Sequence, residues 1–359
     1  MLLTTLLDDH LDAEAADVLG YWSDLLEEIG GPRLGPDETP EFLTMSQTLA
    51  VIRDQGWLDF ALDGDTQSLL YFEAIKRLHR RDLPLPVPIV EIWSAMRLLR
   101  RLNTPQANEI LESCVVGESI PVLAVASAFE PGDSGWVPFG ADVTVILAID
   151  SRDGLDFEAI RPGVGDRVPA NDPDPTLAAV KVTGAGESLG GLDGPESDRF
   201  RAELLVAQSA AIAGQSQALL ESTMAYVSAR EQFGVPVGSF QALRHRSADL
   251  ATDVYAAQQM SIHAADQLPT HGEPSALGHL AKAFVGSAGL RMGSEAIQLH
   301  GGMGFTWEGG VHFGFKRIQH HAMTGPTVGQ CEEWLGRWAV DAPATLWAGG
   351  LDEAEGDAR

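Results

Sequence analysis

The spacing of apolar residues changes twice along this chain, and the change restricts the folds that the chain can adopt. Residues 2–29, and the segments that follow up to about residue 101, repeat apolar side chains at helical spacing. From about Glu118 the apolar runs become short or alternating and are separated by Gly, Pro and Asp, which is typical of strands. Helical spacing returns over residues 195–340. The sequence therefore predicts helices, then a small sheet, then helices again.

This order predicts an α+β fold with three structured parts. We expect an N-terminal helical domain over residues 1–117, a shortened central β domain over 118–192, a C-terminal four-helix bundle over 193–347 and an acidic disordered tail over 348–359. The predicted strands are 122–129, 143–149, 154–160 and 177–182. The predicted C-terminal helices are 197–230, 240–268, 275–299 and 328–338.

Charge excludes several classes of partner. The 359-residue chain has a formal net charge of −27, so its field repels phosphates. Neither nucleic acid nor a membrane is therefore expected as a partner. An anionic ligand would have to be held by local arginines against that field. The hydrophobic fraction of 45% is that of an ordinary globular protein.

The two cysteines and the amino-terminal residues indicate the cellular compartment of the protein. Cys114 and Cys331 have no CxxC spacing, so we expect reduced structural thiols. The first ten residues contain no basic side chain and no long apolar run, so we expect neither a signal peptide nor a membrane span. Both observations predict a cytoplasmic protein.

Two glycine-containing segments in the helical second half carry the chemical signal. Residues 229–241 read AREQFGVPVGSFQ, and residues 298–306 read QLHGGMGFT. An arginine can grip a diphosphate with two hydrogen bonds, and a glycine pair beside a helix end lets backbone N–H groups approach an anion. The alternative for either segment alone is a helix end with a glycine stop, in which Arg230 and Gln298 only cap helices and Phe233 packs in the core.

Together the two segments resemble the flavin-diphosphate half of an acyl-CoA dehydrogenase. Three further matches to that family are residues 55–58 (QGWL), 240–245 (FQALRH) and 304–308 (GFTWE). The resemblance implies an acyl-CoA dehydrogenase-like fold, FAD as the cofactor, and α,β-dehydrogenation of an acyl-CoA substrate. It also implies that each subunit lends its arginine and glycine segments to the FAD of its neighbour. The residues implied to bind the cofactor are Arg230, Phe233, Gln241, Gln298, Gly301 and Gly302.

A catalytic base is harder to find. The family's usual glutamate belongs to a Tyr-Glu-Gly-Thr segment, but the corresponding residues here, 322–327, read AMTGPT and contain no carboxylate. Other members place the base 26 residues before the arginine, which here reaches Leu204. Glu203 is adjacent, but one step along a helix turns a side chain by about 100°. Glu203 is therefore the one candidate base, and an ordinary helix glutamate is the alternative.

The remaining polar groups give weaker signals. The family's flavin-ring loop has its nearest match at residues 130–132 (EPG), which equally suits an acidic turn. His300 could either bond a cofactor oxygen or position the glycine loop. His320 and His321 have no third donor at a metal-ligand spacing, so no metal site is predicted.

The chain has the segments implied to bind the FAD diphosphate but lacks the family's usual base. This combination resembles one chain of the heteromeric α2β2 acyl-CoA dehydrogenases of bacterial steroid catabolism. That resemblance implies a non-catalytic subunit that completes the FAD site of a paralogous partner, and a bulky CoA thioester as substrate, such as one from cholesterol degradation. Two alternatives remain open. One is a complete homomeric dehydrogenase with Glu203 as its base, and the other is a flavin-free assembly subunit.

Overall fold

The structure is a computed structural model. It describes residues 33–34, 40–41, 50, 53–54, 56–62, 68–81, 89–124, 135–138, 143–150, 155–161, 179–182, 186–306 and 308–341. Three predicted features lie outside the described residues: the helical segment 2–29, the loop match at 130–132 and the acidic tail 348–359.

Residues 50 and 53–54 are helical, and four further helices follow before the main sheet in the described part of the chain. They are α1 (Trp57–Leu62), α2 (Ser68–Arg81), α3 (Ile89–Leu102) and α4 (Pro105–Val115), and a short hairpin of β1 (Arg33–Leu34) and β2 (Pro40–Glu41) comes before them. Helix α3 is buried along most of its length because its apolar residues occur on nearly every face, with Trp93, Met96 and Leu99 fully inaccessible. Thr104 caps α4 by accepting a hydrogen bond from Ala107 N at 3.3 Å.

The β domain contains a four-stranded sheet and a separate strand pair. The sheet order is β3 (Pro121–Ala124), β5 (Val145–Asp150), β6 (Leu155–Ile160) and β8 (Glu187–Leu192), with β3 and β5 parallel and the other pairs antiparallel. Strand β4 (Gly135–Pro138) pairs antiparallel with β7 (Ala179–Val182). The strand pattern in the sequence misses β4 and β8. Strand β8 contains Gly190 and Gly191, and glycine weakens a strand signal.

Five helices follow the sheet: α5 (Gly194–Ala229), α6 (Gln241–Gln267), α7 (Pro274–His300), α8 (Val311–Met323) and α9 (Val328–Asp341). The four helices predicted for this region agree with α5, α6, α7 and α9 to within about three residues at either end. Helix α8 was not predicted; it contains Gly314, and glycine weakens a helix signal. The order of helices, sheet and helices predicted for the α+β fold is confirmed, while the exact domain boundaries remain predictions.

The buried apolar residues form two clusters, and α5 contributes to both. The first cluster joins the N-terminal helices, the sheet and the first part of α5, and the second joins α5 from Ile212 onward with α6, α7 and α8. Cys114 and Cys331 are both buried free thiols, as predicted. None of the described helices combines the length and the apolar character needed to cross a lipid bilayer.

Candidate functional site

The first of the two glycine-containing segments forms a tight hairpin after α5. Strands β9 (Glu231–Gln232) and β10 (Val235–Pro236) pair antiparallel, and Phe233 and Gly234 between them have φ angles of 56° and 80°. Positive φ at both central residues is the requirement of a two-residue type I′ turn. Glycine adopts this conformation readily, but phenylalanine does not. The turn holds the Phe233 side chain 93% exposed at the hairpin tip.

The second segment forms a glycine turn at the end of α7. Gly301 has φ 61° and ψ −133°, and its N–H donates to the Gln298 carbonyl. This backbone conformation favours glycine, and a Cβ atom at Gly301 or Gly302 would meet nothing within 4 Å. Gln298, Gly301 and Gly302 are all exposed. The turn therefore offers open backbone that a ligand from outside the chain can approach closely.

A ring stack brings the two segments together across about seventy residues of sequence. The Tyr226 and His300 rings stack with centroids 4.3 Å apart and planes 24° apart. Tyr226 O accepts from Arg230 N at 2.8 Å, and His300 precedes the glycine turn directly. His300 is 6% exposed, and its Nδ1 lies 2.8 Å from the Ala296 carbonyl. These contacts favour a role for His300 in positioning the glycine loop over a hydrogen bond to a cofactor oxygen.

No sequence motif marks Tyr226, because its contribution depends on a ring that lies far away in the chain. Its only local signal is its place one helical turn before Arg230.

Arg230 places an exposed positive charge on a chain whose net charge is −27. Arg230 is exposed at the end of α5, and none of the described carboxylates forms an ion pair with its guanidinium group. Gln241 is the first residue of α6 and is also exposed. The amino-terminal end of a helix carries partial positive charge, which favours an anion. Phe240 packs edge-on against Phe233, with ring centroids 6.3 Å apart.

These residues fit the diphosphate and adenine part of FAD. Arg230 supplies a cation that no described carboxylate pairs with, the turn at Gly301 supplies open backbone, and Phe233 supplies an exposed aromatic ring. None of them belongs to either buried cluster of the described residues, and all are exposed.

Glu203, the candidate base, lies between α5 and α3. Its carboxylate accepts a hydrogen bond from Arg101, and its other oxygen lies 3.6 Å from Arg97 Nε. Both guanidinium groups also lie over aromatic rings, Arg97 over Tyr71 and Arg101 over Phe200. The Glu203 side chain is 13% exposed. This arrangement suits an ion pair that joins two helices, and the role of Glu203 as a base stays a prediction.

The segment that corresponds to the family's usual base lies at the end of α8. Its carbonyl at Thr324 accepts a hydrogen bond from the buried Lys282, which also donates to Gln208 Oε1 at 2.6 Å. Burial disfavours the ammonium form and lowers the pKa of Lys282 to about 7. The segment where the family's usual base would lie therefore has no carboxylate and instead accepts a hydrogen bond from the buried Lys282.

Comparison with known proteins agrees with the geometry. A family model described as "Acyl-CoA dehydrogenase, C-terminal domain" matches residues 206–356. The chain is 40% identical over 245 residues to the acyl-CoA dehydrogenase IpdE2 of Mycolicibacterium smegmatis, covering 67% of this chain and 74% of that protein.

Solved structures share the fold at low sequence identity. One is the Tcur3481-Tcur3483 steroid ACAD G363A variant, with a TM-score of 0.77 and 19% identity over 92% of this chain and 99% of that chain. Another is the ChsE4-ChsE5 complex from Mycobacterium tuberculosis, with a TM-score of 0.74 and 20% identity over 93% of this chain and 99% of that chain. Together with the match to IpdE2, these findings show that the chain belongs to the acyl-CoA dehydrogenase family, whose members use FAD.

Proposed function

We propose that this chain is the non-catalytic subunit of a heteromeric, cytoplasmic acyl-CoA dehydrogenase and completes the FAD site of a paralogous partner chain. The observation that carries the proposal is the exposed surface formed by the Phe233 hairpin and the glycine turn at Gly301, which the Tyr226–His300 stack holds together. The residues of this surface are exposed and lie outside both buried clusters, so we expect a second subunit to cover most of the ligand.

Each residue of the surface has a defined task. Arg230 binds the diphosphate through paired N–H donors, and the open backbone at Gly301 and Gly302 lets the same anion approach closely. Phe233 packs against the adenine ring, while Gln241 and Gln298 supply hydrogen bonds. When bound, FAD accepts the hydride that leaves the β-carbon of the acyl-CoA. This chain therefore binds and orients the cofactor, and the partner supplies the base.

Two features support assigning the base to the partner. Residues 322–327 contain no carboxylate, and the oxygens of Glu203 face Arg101 and Arg97. A base must reach the α-proton of the substrate, and a carboxylate held between two guanidinium groups is poorly placed to do so. Two structures with the same fold, ChsE4-ChsE5 and Tcur3481-Tcur3483, each carry the names of two different chains, which supports a heteromeric assembly of the α2β2 type. The second is described as a steroid ACAD, which favours a steroid-derived CoA thioester as substrate.

The first experiment compares the flavin content of the chain purified alone with that of the chain co-expressed with a paralogous dehydrogenase chain. We expect no bound FAD in the lone chain and about one FAD for every two chains in the complex. Arg230→Ala should empty the complex of FAD and leave its assembly intact, as measured by absorbance and light scattering. Arg337→Ala is the matched control, since Arg337 is an exposed arginine paired within its own helix, and it should retain FAD.

Two outcomes would overturn the proposal. Full FAD occupancy and turnover by the lone chain, abolished by Glu203→Gln, would identify a homomeric enzyme. Unchanged FAD content and activity in the Arg230→Ala complex would identify an assembly subunit that does not contact flavin.

A further inference from the structure

A buried cluster of one carboxylate and two imidazoles joins the two helical parts of the molecule. Glu91 Oε1 lies 2.9 Å from His320 Nε2 and 3.7 Å from His321 Nδ1. The side chains of Glu91, His320 and His321 are 7%, 9% and 4% exposed. Glu91 lies in the first turn of α3, 229 residues before His320 near the end of α8. The sequence offers no third donor for the two histidines, and the fold supplies one.

The spacing of these atoms suits a single divalent ion. One ligand atom from each of the three side chains can be chosen so that all lie within 4.8 Å of one another. Two ligands of one Zn²⁺ ion, each about 2.0 Å away at the tetrahedral angle, lie about 3.3 Å apart. The two measured separations, 2.9 and 3.7 Å, lie on either side of that value. Small side-chain shifts are therefore enough to admit an ion.

The second oxygen of Glu91 is a further sign of a missing ligand. Glu91 Oε2 is buried and has no hydrogen-bond partner among the described residues. A buried carboxylate oxygen without a donor is costly, because it has lost its water without replacement. An ion that Glu91 binds through both of its oxygens would satisfy Oε2.

Thr324 fixes the orientation of one imidazole. Its hydroxyl donates to the His320 carbonyl at 2.7 Å, so toward His320 Nδ1, at 3.4 Å, it presents a lone pair. The Thr324 hydroxyl oxygen can therefore accept a hydrogen bond from His320 Nδ1, and His320 Nε2 faces the Glu91 carboxylate. With Nε2 directed at a carboxylate oxygen, the two atoms are placed to bind one cation. A metal-bound imidazole usually donates its other ring N–H to a second-layer acceptor, and the Thr324 hydroxyl oxygen lies in that place.

We propose that Glu91, His320 and His321 bind one Zn²⁺ ion that clamps α3 to α8. Two imidazoles and a carboxylate are a ligand set that zinc accepts. The site is independent of the FAD surface at Arg230 and of the subunit role assigned above, so neither proposal depends on the other.

The test is a calorimetric titration of Zn²⁺ into the chelator-treated full-length chain, in complex with its partner if the lone chain is not folded. We expect one equivalent to bind, with Co²⁺ at the same site producing the visible absorption of a tetrahedral ion. Glu91→Gln and His321→Asn should each weaken binding by about a hundredfold, and Thr324→Val by roughly tenfold. His263→Asn is the control, because His263 is exposed on α6, and it should bind Zn²⁺ as the wild type does.

The wild-type titration gives a result even if a variant does not fold. If the folded wild type binds no Zn²⁺ saturably, the proposal fails, and the cluster is a hydrogen-bonded contact between α3 and α8. It fails equally if folded Glu91→Gln and His321→Asn retain the full stoichiometry, or if His263→Asn loses it. Circular dichroism establishes that each variant is folded.

Discussion

At the scale of single residues, Phe233 combines backbone strain with almost complete exposure. A left-handed conformation costs a non-glycine residue about 1–2 kcal/mol, and at φ 56° Phe233 gains little packing to offset it. Strain of this kind is found where a side chain must point toward a ligand. The sequence motif identified Phe233, whereas the positive φ that explains its exposure is visible only in the structure.

Phe233→Asn separates stability from cofactor binding. Asparagine tolerates the left-handed region, and Asn-Gly is a favoured type I′ pair, so the free energy of unfolding should rise by about 0.5–1 kcal/mol. Loss of aromatic stacking should weaken FAD binding in the complex by roughly tenfold. Urea denaturation and flavin retention measure the two effects. A loss of stability would show that Phe233 supports the fold.

Gly234→Ala is the matched variant for this turn. It keeps the aromatic ring but places a side chain at φ 80°, so stability should fall by about 1 kcal/mol.

At the scale of elements, α5 and α7 approach closely because small residues line their contact. A Cβ atom at Gly278 would lie 2.9 Å from Ala202 Cα, and one at Gly289 would lie 2.4 Å from Ile212 Cγ2. Separations this short leave no room for a methyl group unless the helices move apart. Helical periodicity in the sequence predicts both helices but not this distance between them.

Gly289→Ala should therefore destabilise the bundle by about 1–3 kcal/mol, since the added methyl group overpacks the contact with Ile212. Gly336→Ala is the control, because Gly336 lies inside α9 with nothing within 4 Å of its would-be Cβ. That change should stabilise the protein by about 0.5–1 kcal/mol through helix propensity alone. Chemical denaturation of both variants checks the pair, and equal effects would contradict the packing argument.

At the scale of the whole molecule, global stability should depend on pH through Lys282. Burial lowers the pKa of Lys282 from 10.5 to about 7. Between those values the unfolded chain binds a proton that the folded chain has released, so stability rises with pH across this window. Below about pH 7 both states are protonated, and the cost of the buried charge is present in full.

Lys282→Met should remove that dependence. The wild type should gain up to about 1.4 kcal/mol per pH unit relative to the variant between about pH 7 and about pH 9. Urea unfolding at both ends of the window measures the difference, and contributions from other titrating groups cancel. Identical slopes would mean that Lys282 stays charged in the folded protein.

The order of helices and strands, the family, and the segments around Arg230 and Gly301 can all be read from the amino-acid sequence, because periodicity and glycine turns are local properties of the chain. Which distant side chains meet can be read only from the folded structure: Tyr226 meets His300, Glu203 meets two arginines, and Glu91 meets His320 and His321. Those contacts follow from how the helices pack, and packing depends on the shapes of many residues at once rather than on any motif.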